Sequence, residues 1–347
     1  MIKVSVAIGT WNRVGMVRQA INAALNQTLK PYEIVVFDDA SPDNTYGILS
    51  EEFKGHPIVK ILKQPVNTGG VPNWNAAINA CSGDYIAWCS DDDRWFAWHL
   101  EKSIDFMLKH PNVGMVHSGY CTSFEPTKES HDLFNKIDEE IFDKIDFEKL
   151  RSETPIFTEK NDILKYYVKY YNWPFHPSTL VFTREVWNVV GEFDPKYELA
   201  DTDWFLKVAC NFTVAYVPSY GVLNRRHPNN WSNEMGGAKM QKEQIRMVDE
   251  LLKDYPKTLS NSILKLRWRF LFNQLLLRMY ISRARAGNFN AASDIFMVLR
   301  QISWLKVFSL ETAGSIEKRL TKVINSAQRL IFKNNNKYDD LGKFTPD

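Results

Sequence analysis

Residues 67–95 read NTGGVPNWNAAINACSGDYIAWCSDDDRW. VPNWNAAINACSG (71–83) predicts a helix closed by Gly83 as its C-cap. DYIAWCS (84–90) predicts a strand that runs straight into Asp91, Asp92 and Asp93. The same alternation precedes it. VSVAIGT (4–10) is apolar and β-branched enough for a buried strand, and Val14, Val17, Ala20, Ile21, Ala24 and Leu25 recur at helical spacing over 14–27. EIVVFDD (33–39) predicts a second strand ending in two aspartates before the turn residues ASPDNT, and IVKILKQ (58–64) a third. Strands alternating with helices imply an α/β domain with a mostly parallel sheet, whose ligands sit beyond the carboxyl ends of the strands.

Further along, STLVFT (178–183) predicts a strand and REVWNVVGEFD (184–194) a helix ending at Gly191. LADTDWFLKVACN (199–211) predicts a helix with acids at its start, and TVAYVPSYGVLNRRH (213–227) a further strand or two. Residues 125–160, rich in Glu, Asp and Lys, read as a mobile insertion over the site. The pattern is helical from about 236 to 333, giving a domain over 1–235 and a helical, basic region over 236–347.

A hydrophobic fraction of 44% and a charged fraction of 24% exclude a disordered chain, and 16 Gly and 15 Pro exclude collagen-like sequence. No apolar run reaches the ~18–20 residues of a membrane span. MIKVSVAIGTWNR turns polar too early for a signal peptide and reads as a first strand. Cys81, Cys89, Cys121 and Cys210 lack zinc spacing and read as free thiols of a reducing cytoplasm.

The net charge of +2 hides an asymmetry. Residues 1–261 hold 28 Lys+Arg against 35 Asp+Glu, whereas residues 262–337 hold 14 against 3. In SIEKRLTKVINSAQRLIF (315–332), Ile316, Leu320, Val323, Ile324, Ala327, Leu330 and Ile331 form one stripe, with Lys318, Arg319, Lys322 and Arg329 elsewhere. Such a helix suits an anionic membrane surface, or packs its apolar face on the preceding domain. No recognition motif for nucleic acid accompanies the charge. A cytoplasmic location, peripheral on the inner face of the membrane, is the expectation.

Asp38 and Asp39 end one strand and Asp91, Asp92 and Asp93 follow another, so several carboxylates converge on one sheet edge. They repel one another unless a cation or hydrogen bonds compensate. Mg²⁺ or Mn²⁺, which take oxygen ligands and bridge to phosphates, answer that need. Asp43 reads as a solvated turn residue.

VSVAIGTWNR, VVFDDASPDNT and NTGGVPNWNAAINACSGDYIAWCSDDDRW, in this order and spacing, resemble the nucleotide-sugar glycosyltransferases of family 2, with the GT-A fold. The match covers roughly residues 1–110, with weaker similarity to about 232. The resemblance implies that the first loop and the aspartate of the second strand hold base and ribose, while the acidic motif holds a divalent metal on the diphosphate. Carried onto this sequence, donor binding falls to Thr10, Asn12, Arg13, Asp39, Asn67 and Asp91, and the metal to Asp92. The chain departs from the family pattern at Gly9, usually proline, at Ser90, usually the first acid of the motif, and at Trp74, often an arginine.

The resemblance further places the general base of an inverting transfer at Asp201 in LADTDWFLK. A sugar hydroxyl is a poor nucleophile until a carboxylate accepts its proton. Asp201 and Asp203 are also what a helix dipole favours in a first turn. His227 in NRRHPNNWS falls where family members often place a histidine near the metal, with Arg225 and Arg226 suited to the diphosphate. It is otherwise a surface-loop residue. His176 reads as lining the acceptor side or as packing, and Trp95, Trp98 and Trp173 as sugar platforms or core.

The implied activity is metal-dependent, inverting transfer from a nucleotide-diphosphate sugar, UDP-linked, to a glycan or lipid-linked oligosaccharide hydroxyl. The alternative is a non-catalytic sugar-nucleotide-binding or scaffold protein on the same fold. A sugar-nucleotide pyrophosphorylase would need a glycine-rich, lysine-bearing loop that GTWNR does not supply.

Overall fold

The computed structural model of the protein describes residues 2–124 and 176–227, Asn230, and a few residues between 243 and 255. The chain divides into units of Met1–Glu234 and Met235–Asp347. The expected insertion over 125–160, Trp173 and the basic helices after 262 lie outside the described residues. No described helix is long and apolar enough to cross a membrane.

The first unit begins with β1 (Val4–Thr10), α1 (Val14–Leu25), β2 (Glu33–Asp38), α2 (Thr45–Glu52), β3 (Val59–Lys63), α3 (Gly70–Asn79) and β4 (Tyr85–Trp88). It continues through β5 (Arg94–Trp95), α4 (His99–Lys109) and β6 (Val113–Phe124). A 3-10 turn at Pro177–Thr179 leads into β7 (Leu180–Thr183), α5 (Arg184–Val190), α6 (Ala200–Asn211) and β8 (Thr213–Arg226).

Every residue of β1 is buried, and its period of two divides the labour. Val4, Val6 and Ile8 join one apolar cluster with Val17, Ala20, Ile21 and Ala24 of α1 and Ile34 and Val36 of β2. Each such side chain contributes about 1.5–3 kcal/mol by leaving water. The alternate residues are small. Ser5 donates to Glu33 Oε1 at 2.6 Å, and Gly9 lies against Trp74 of α3.

The eight described strands form one sheet in the order β3-β2-β1-β4-β7-β6-β8-β5. β3, β2, β1 and β4 are parallel, as the alternation predicts. The other half is mixed: β7 runs antiparallel to β4 and β6, and β5 antiparallel to β8, while β6 and β8 are parallel. Six of the eight described strands thus run one way, as a mostly parallel sheet requires, and β7 and β5 reverse against them. The consequence of the reversal is functional. Because β7 runs against β4, the residues leading into it, His176–Thr179, meet the residues leaving β4.

Gly83 does not cap α3, which ends at Asn79. It sits instead where β1 passes: its N–H donates to Ser5 Oγ at 2.8 Å, and a Cβ there would lie 2.6–2.9 Å from Ser5 Oγ, Lys3 O and Ser5 N. Gly191 does close α5 as expected, with φ 84. TVAYVPSYGVLNRR forms one continuous strand. Trp95 and Trp98 are fixed by hydrogen bonds to Ser178 O (2.9 Å) and Tyr220 O (2.7 Å), so both belong to the scaffold. The four cysteines are free.

Candidate active site

The chain leaves β4 at Trp88 and turns Asp91, Asp92 and Asp93 in three different directions. Asp91 is buried against the end of β1: Oδ2 accepts from Thr10 Oγ1 at 2.7 Å and Oδ1 from Arg13 Nη1 at 2.9 Å. Burial, with the neighbouring Asp92 charge, pushes its carboxyl up to about 6 against the pull of Arg13 and Thr10. Asp92 Oδ2 lies 3.0 Å from the same Arg13 Nη1, 3.3 Å from His227 Nε2 and 3.2 Å from Asn230 Nδ2. Burial would raise this carboxyl, but the His227 hydrogen bond and the charges of Arg13 and His227 hold it below its ordinary range. Asp93 is fully buried and accepts from Ser178 Oγ (2.5 Å), Asn224 Nδ2 (3.1 Å) and Arg225 N (3.2 Å). It ties the loop to β7 and β8. Burial raises its carboxyl.

The next strand end holds a loop. Asp39 accepts from Thr68 N, Thr68 Oγ1 and Gly69 N, each at 2.8 Å, so this buried aspartate fixes the NTGG segment. Asn67 caps the same turn through Gly69 N at 3.2 Å and is exposed. Asp38 holds the turn after β2 through Ser41, whose Oγ accepts from Asn12 N at 2.8 Å. Asn12 and Ala40 are both left-handed at φ 54, a conformation asparagine tolerates and alanine adopts at a cost of about 1–2 kcal/mol. Asp43 is not merely solvated, for it accepts from Thr45 N (3.0 Å) and starts α2. Trp11, 49% exposed, stands on this loop as a bare aromatic face.

Gly9 and Trp74, two departures from the family pattern, are one feature. A Cβ on Gly9 would lie 2.8 Å from Trp74 Cδ1, so a proline ring and this indole cannot coexist. Trp74 instead packs on Trp88 (5.2 Å) and Phe193 (6.2 Å), and α3 contains no Lys or Arg.

On the far side, Asp201 lies in the first turn of α6, partly exposed, with Oδ1 accepting from Thr202 N at 2.7 Å. Burial raises its carboxyl, opposed by that backbone hydrogen bond. Asp203 is buried and paired with Lys207 at 2.7 Å, a scaffold role. His176 stands beside Asp93. Its ring nitrogens lie 3.0 Å from Asn224 Nδ2 and 3.3 Å from Asp93 Oδ2.

Thr10, Arg13, Asp91, Asp92 and His227 thus form one connected network. Asp39 and Asn67 form a second, joined to it where Asp39 N donates to Thr10 O at 3.0 Å. Arg225 is part of the scaffold. It is fully buried and donates to the main-chain oxygen of Asp92 and to Gln19 Oε1. Ser178, Asn224 and Asn230, and the scaffold role of Asp93, emerge only in three dimensions.

The donor set suits a hard divalent ion. No described donor reaches Asp92 Oδ1, and an imidazole stands beside the other oxygen. A carboxylate with an imidazole favours Mn²⁺ over Mg²⁺. Among the described residues no three His, Cys, Asp or Glu side chains make a cage. Ions of this kind are commonly held by one or two carboxylates plus substrate phosphates.

Residues 5–171 match the sequence profile of Glycosyl transferase family 2. The uncharacterized glycosyltransferase YwdF of Bacillus subtilis (strain 168) is 27% identical over 69% of this chain and 81% of its own length. With two further curated glycosyltransferases the similarity is confined to 34% of this chain and less than half of theirs. Among solved structures, S. aureus TarS 1-349 in complex with UDP-GlcNAc superposes with a TM-score of 0.57 at 15% identity, covering 86% of this chain and 91% of that one. The mannosyltransferase PcManGT from Pyrobaculum calidifontis, in complex with GDP-Man and Mn²⁺, gives 0.53 at 15% identity, covering 97% and 88%. The fold is GT-A.

Proposed function

Because residues 5–171 match the profile of Glycosyl transferase family 2, we propose that the chain is a glycosyltransferase and that the carboxyl edge of its sheet transfers a sugar, with inversion, from a nucleotide-diphosphate sugar to a glycan hydroxyl. The observation that carries the reading is the single network Thr10–Asp91–Arg13–Asp92–His227. The UDP-GlcNAc held by TarS supports a UDP-linked donor, and the Mn²⁺ of PcManGT supports a metal.

In this reading the exposed face of Trp11 stacks on the base, and the loop held by Asp39 and Asn67 shapes the ribose pocket. Asp91, anchored by Thr10, fixes the ribose side of the acidic loop. Asp92 and His227 would hold Mn²⁺ or Mg²⁺, which when bound would neutralise charge developing on the departing diphosphate. Asp201 accepts the proton of the acceptor hydroxyl as its oxygen bonds to the anomeric carbon and the bond to the phosphate oxygen breaks, the electron pair leaving with the diphosphate. A carboxyl raised by burial is better matched to that proton than an ordinary aspartate. The basic region after residue 262 is proposed to rest on an anionic membrane surface at the cytoplasmic face.

A panel of sugar nucleotides, assayed for transfer or hydrolysis with and without Mn²⁺, tests the reading. It expects metal-stimulated turnover of one donor, and NMR of the product to show an inverted anomeric centre. Binding without turnover of any donor would instead fit a non-catalytic binding protein.

A further inference from the structure

We infer that Arg13 is the resident counter-cation of the Asp91–Asp92 pair and is exchanged for the divalent ion when the donor diphosphate arrives, so that the metal binds well only with nucleotide. This rests on the donor-site reading above.

One nitrogen, Arg13 Nη1, bridges two carboxylates, at 2.9 Å from Asp91 Oδ1 and 3.0 Å from Asp92 Oδ2. Without it, two adjacent and largely buried carboxylates would repel each other. With it, Asp92 Oδ2 is ringed by three nitrogens, since His227 Nε2 and Asn230 Nδ2 lie at 3.3 and 3.2 Å. A carboxylate oxygen offers about two lone-pair sites. A divalent ion approaching that oxygen therefore meets both a filled shell and a guanidinium a few ångströms away, and like charges at that range repel strongly in a low-dielectric site.

The geometry also permits the exchange. The Arg13 side chain is 24% exposed, against 8% and 15% for its partners. Its main chain is pinned at the start of α1, where its carbonyl accepts from Met16 N and Val17 N, both at 3.0 Å. The exchange requires the guanidinium to move outward about this fixed base. A diphosphate at the beginning of α1 would give it a bidentate anionic partner. α3 supplies no cation, because Trp74 stands in the position of the family arginine.

The test is Mn²⁺ binding to the full chain at one pH, read by electron paramagnetic resonance, with and without UDP. Wild type should bind Mn²⁺ alone weakly, and UDP should tighten it about tenfold or more. Arg13→Met should bind Mn²⁺ alone on the order of tenfold tighter than wild type, with the tightening by UDP reduced by the same factor. Arg13→Gln should behave alike if the methionine variant fails to fold, and Arg13→Lys should keep much of the coupling. If both neutral variants bind Mn²⁺ alone no better than wild type, the exchange is refuted. Asp92→Asn separates the two readings. If it keeps wild-type affinity for Mn²⁺ with UDP, the metal is not on Asp92 and the donor-site reading fails. If it loses that affinity while the Arg13 variants show no gain, only the exchange fails.

Discussion

Glu33 opens β2 with a buried carboxylate that no ligand needs, and its removal has a calculable cost. It accepts from Ser5 Oγ (2.6 Å), Ser82 N (2.5 Å), Ser82 Oγ (2.8 Å) and Lys60 Nζ (2.6 Å), clasping β1, β3 and the segment after α3. Burial alone would raise its carboxyl, but the hydrogen bonds from Lys60, Ser5 and Ser82 outweigh it and hold the group at about 2, against an ordinary 4.5. At about 1.4 kcal/mol per tenfold change in proton affinity, that difference is worth about 3 kcal/mol of stability. Because the folded value is depressed, this stability is fully present above pH 4.5 and is lost as the pH falls through 2. Glu33→Gln keeps the shape but turns an amide NH₂ toward donors. It should cost about 2–3 kcal/mol at pH 7, read by equilibrium urea unfolding, and the gap from wild type should narrow by about 2 kcal/mol at pH 3. Lys60→Met should cost under about 1 kcal/mol, since Lys60 is half exposed. A Glu33→Gln gap of the same size at pH 7 and pH 3 would refute the reasoning, because a packing defect has no such pH dependence.

Three further outcomes follow from particular contacts. Gly83→Ala should destabilise by about 2 kcal/mol or more in the same assay, because its Cβ would meet the main chain of Lys3 and Ser5 at 2.7 and 2.9 Å. Gly9→Ala should cost about 1–3 kcal/mol alone, and much less in a Trp74→Leu background, a coupling that a double-mutant cycle reads directly. Asp92→Ala should leave the thermal midpoint within a few degrees of wild type yet abolish Mn²⁺-dependent UDP binding, measured by calorimetry. Retention of wild-type UDP affinity in Mn²⁺ would move the metal elsewhere.

The parallel half of the fold was legible because its signals are local. VSVAIGT and EIVVFDD are buried on both faces and so read as continuous apolar runs, and Gly191 marks a helix end by its own backbone freedom. β6 was not read, since VGMVHSGYCTSF mixes glycines and polar residues that only its neighbours β7 and β8 make into a strand. Gly83 misled because a glycine after a helical run has two uses, a cap or a close approach, and the second depends on a strand 78 residues away. At the site, the acidic run was visible as a run, but the division of tasks within it was not. Asp93 became scaffold through Ser178, in the turn before β7, and Asn224 and Arg225 at the end of β8, distant segments that no local pattern announces. Arg225 and Arg226 looked equivalent in sequence, whereas β8 stays buried through the first and emerges at the second, its last residue.

The central claim, that Asp201 takes the acceptor's proton on a donor site built by other residues, is tested most directly by Asp201→Asn with turnover and nucleotide affinity measured on the same sample. The amide preserves size but cannot accept a proton at neutral pH, and loss of a general base commonly costs ~10²–10⁴ in rate. The account predicts that fall in kcat with UDP affinity in Mn²⁺ unchanged, and a milder loss for Asp203→Asn, whose carboxylate is engaged with Lys207. Wild-type turnover by Asp201→Asn, or a dead Asp203→Asn beside an active Asp201→Asn, would contradict it.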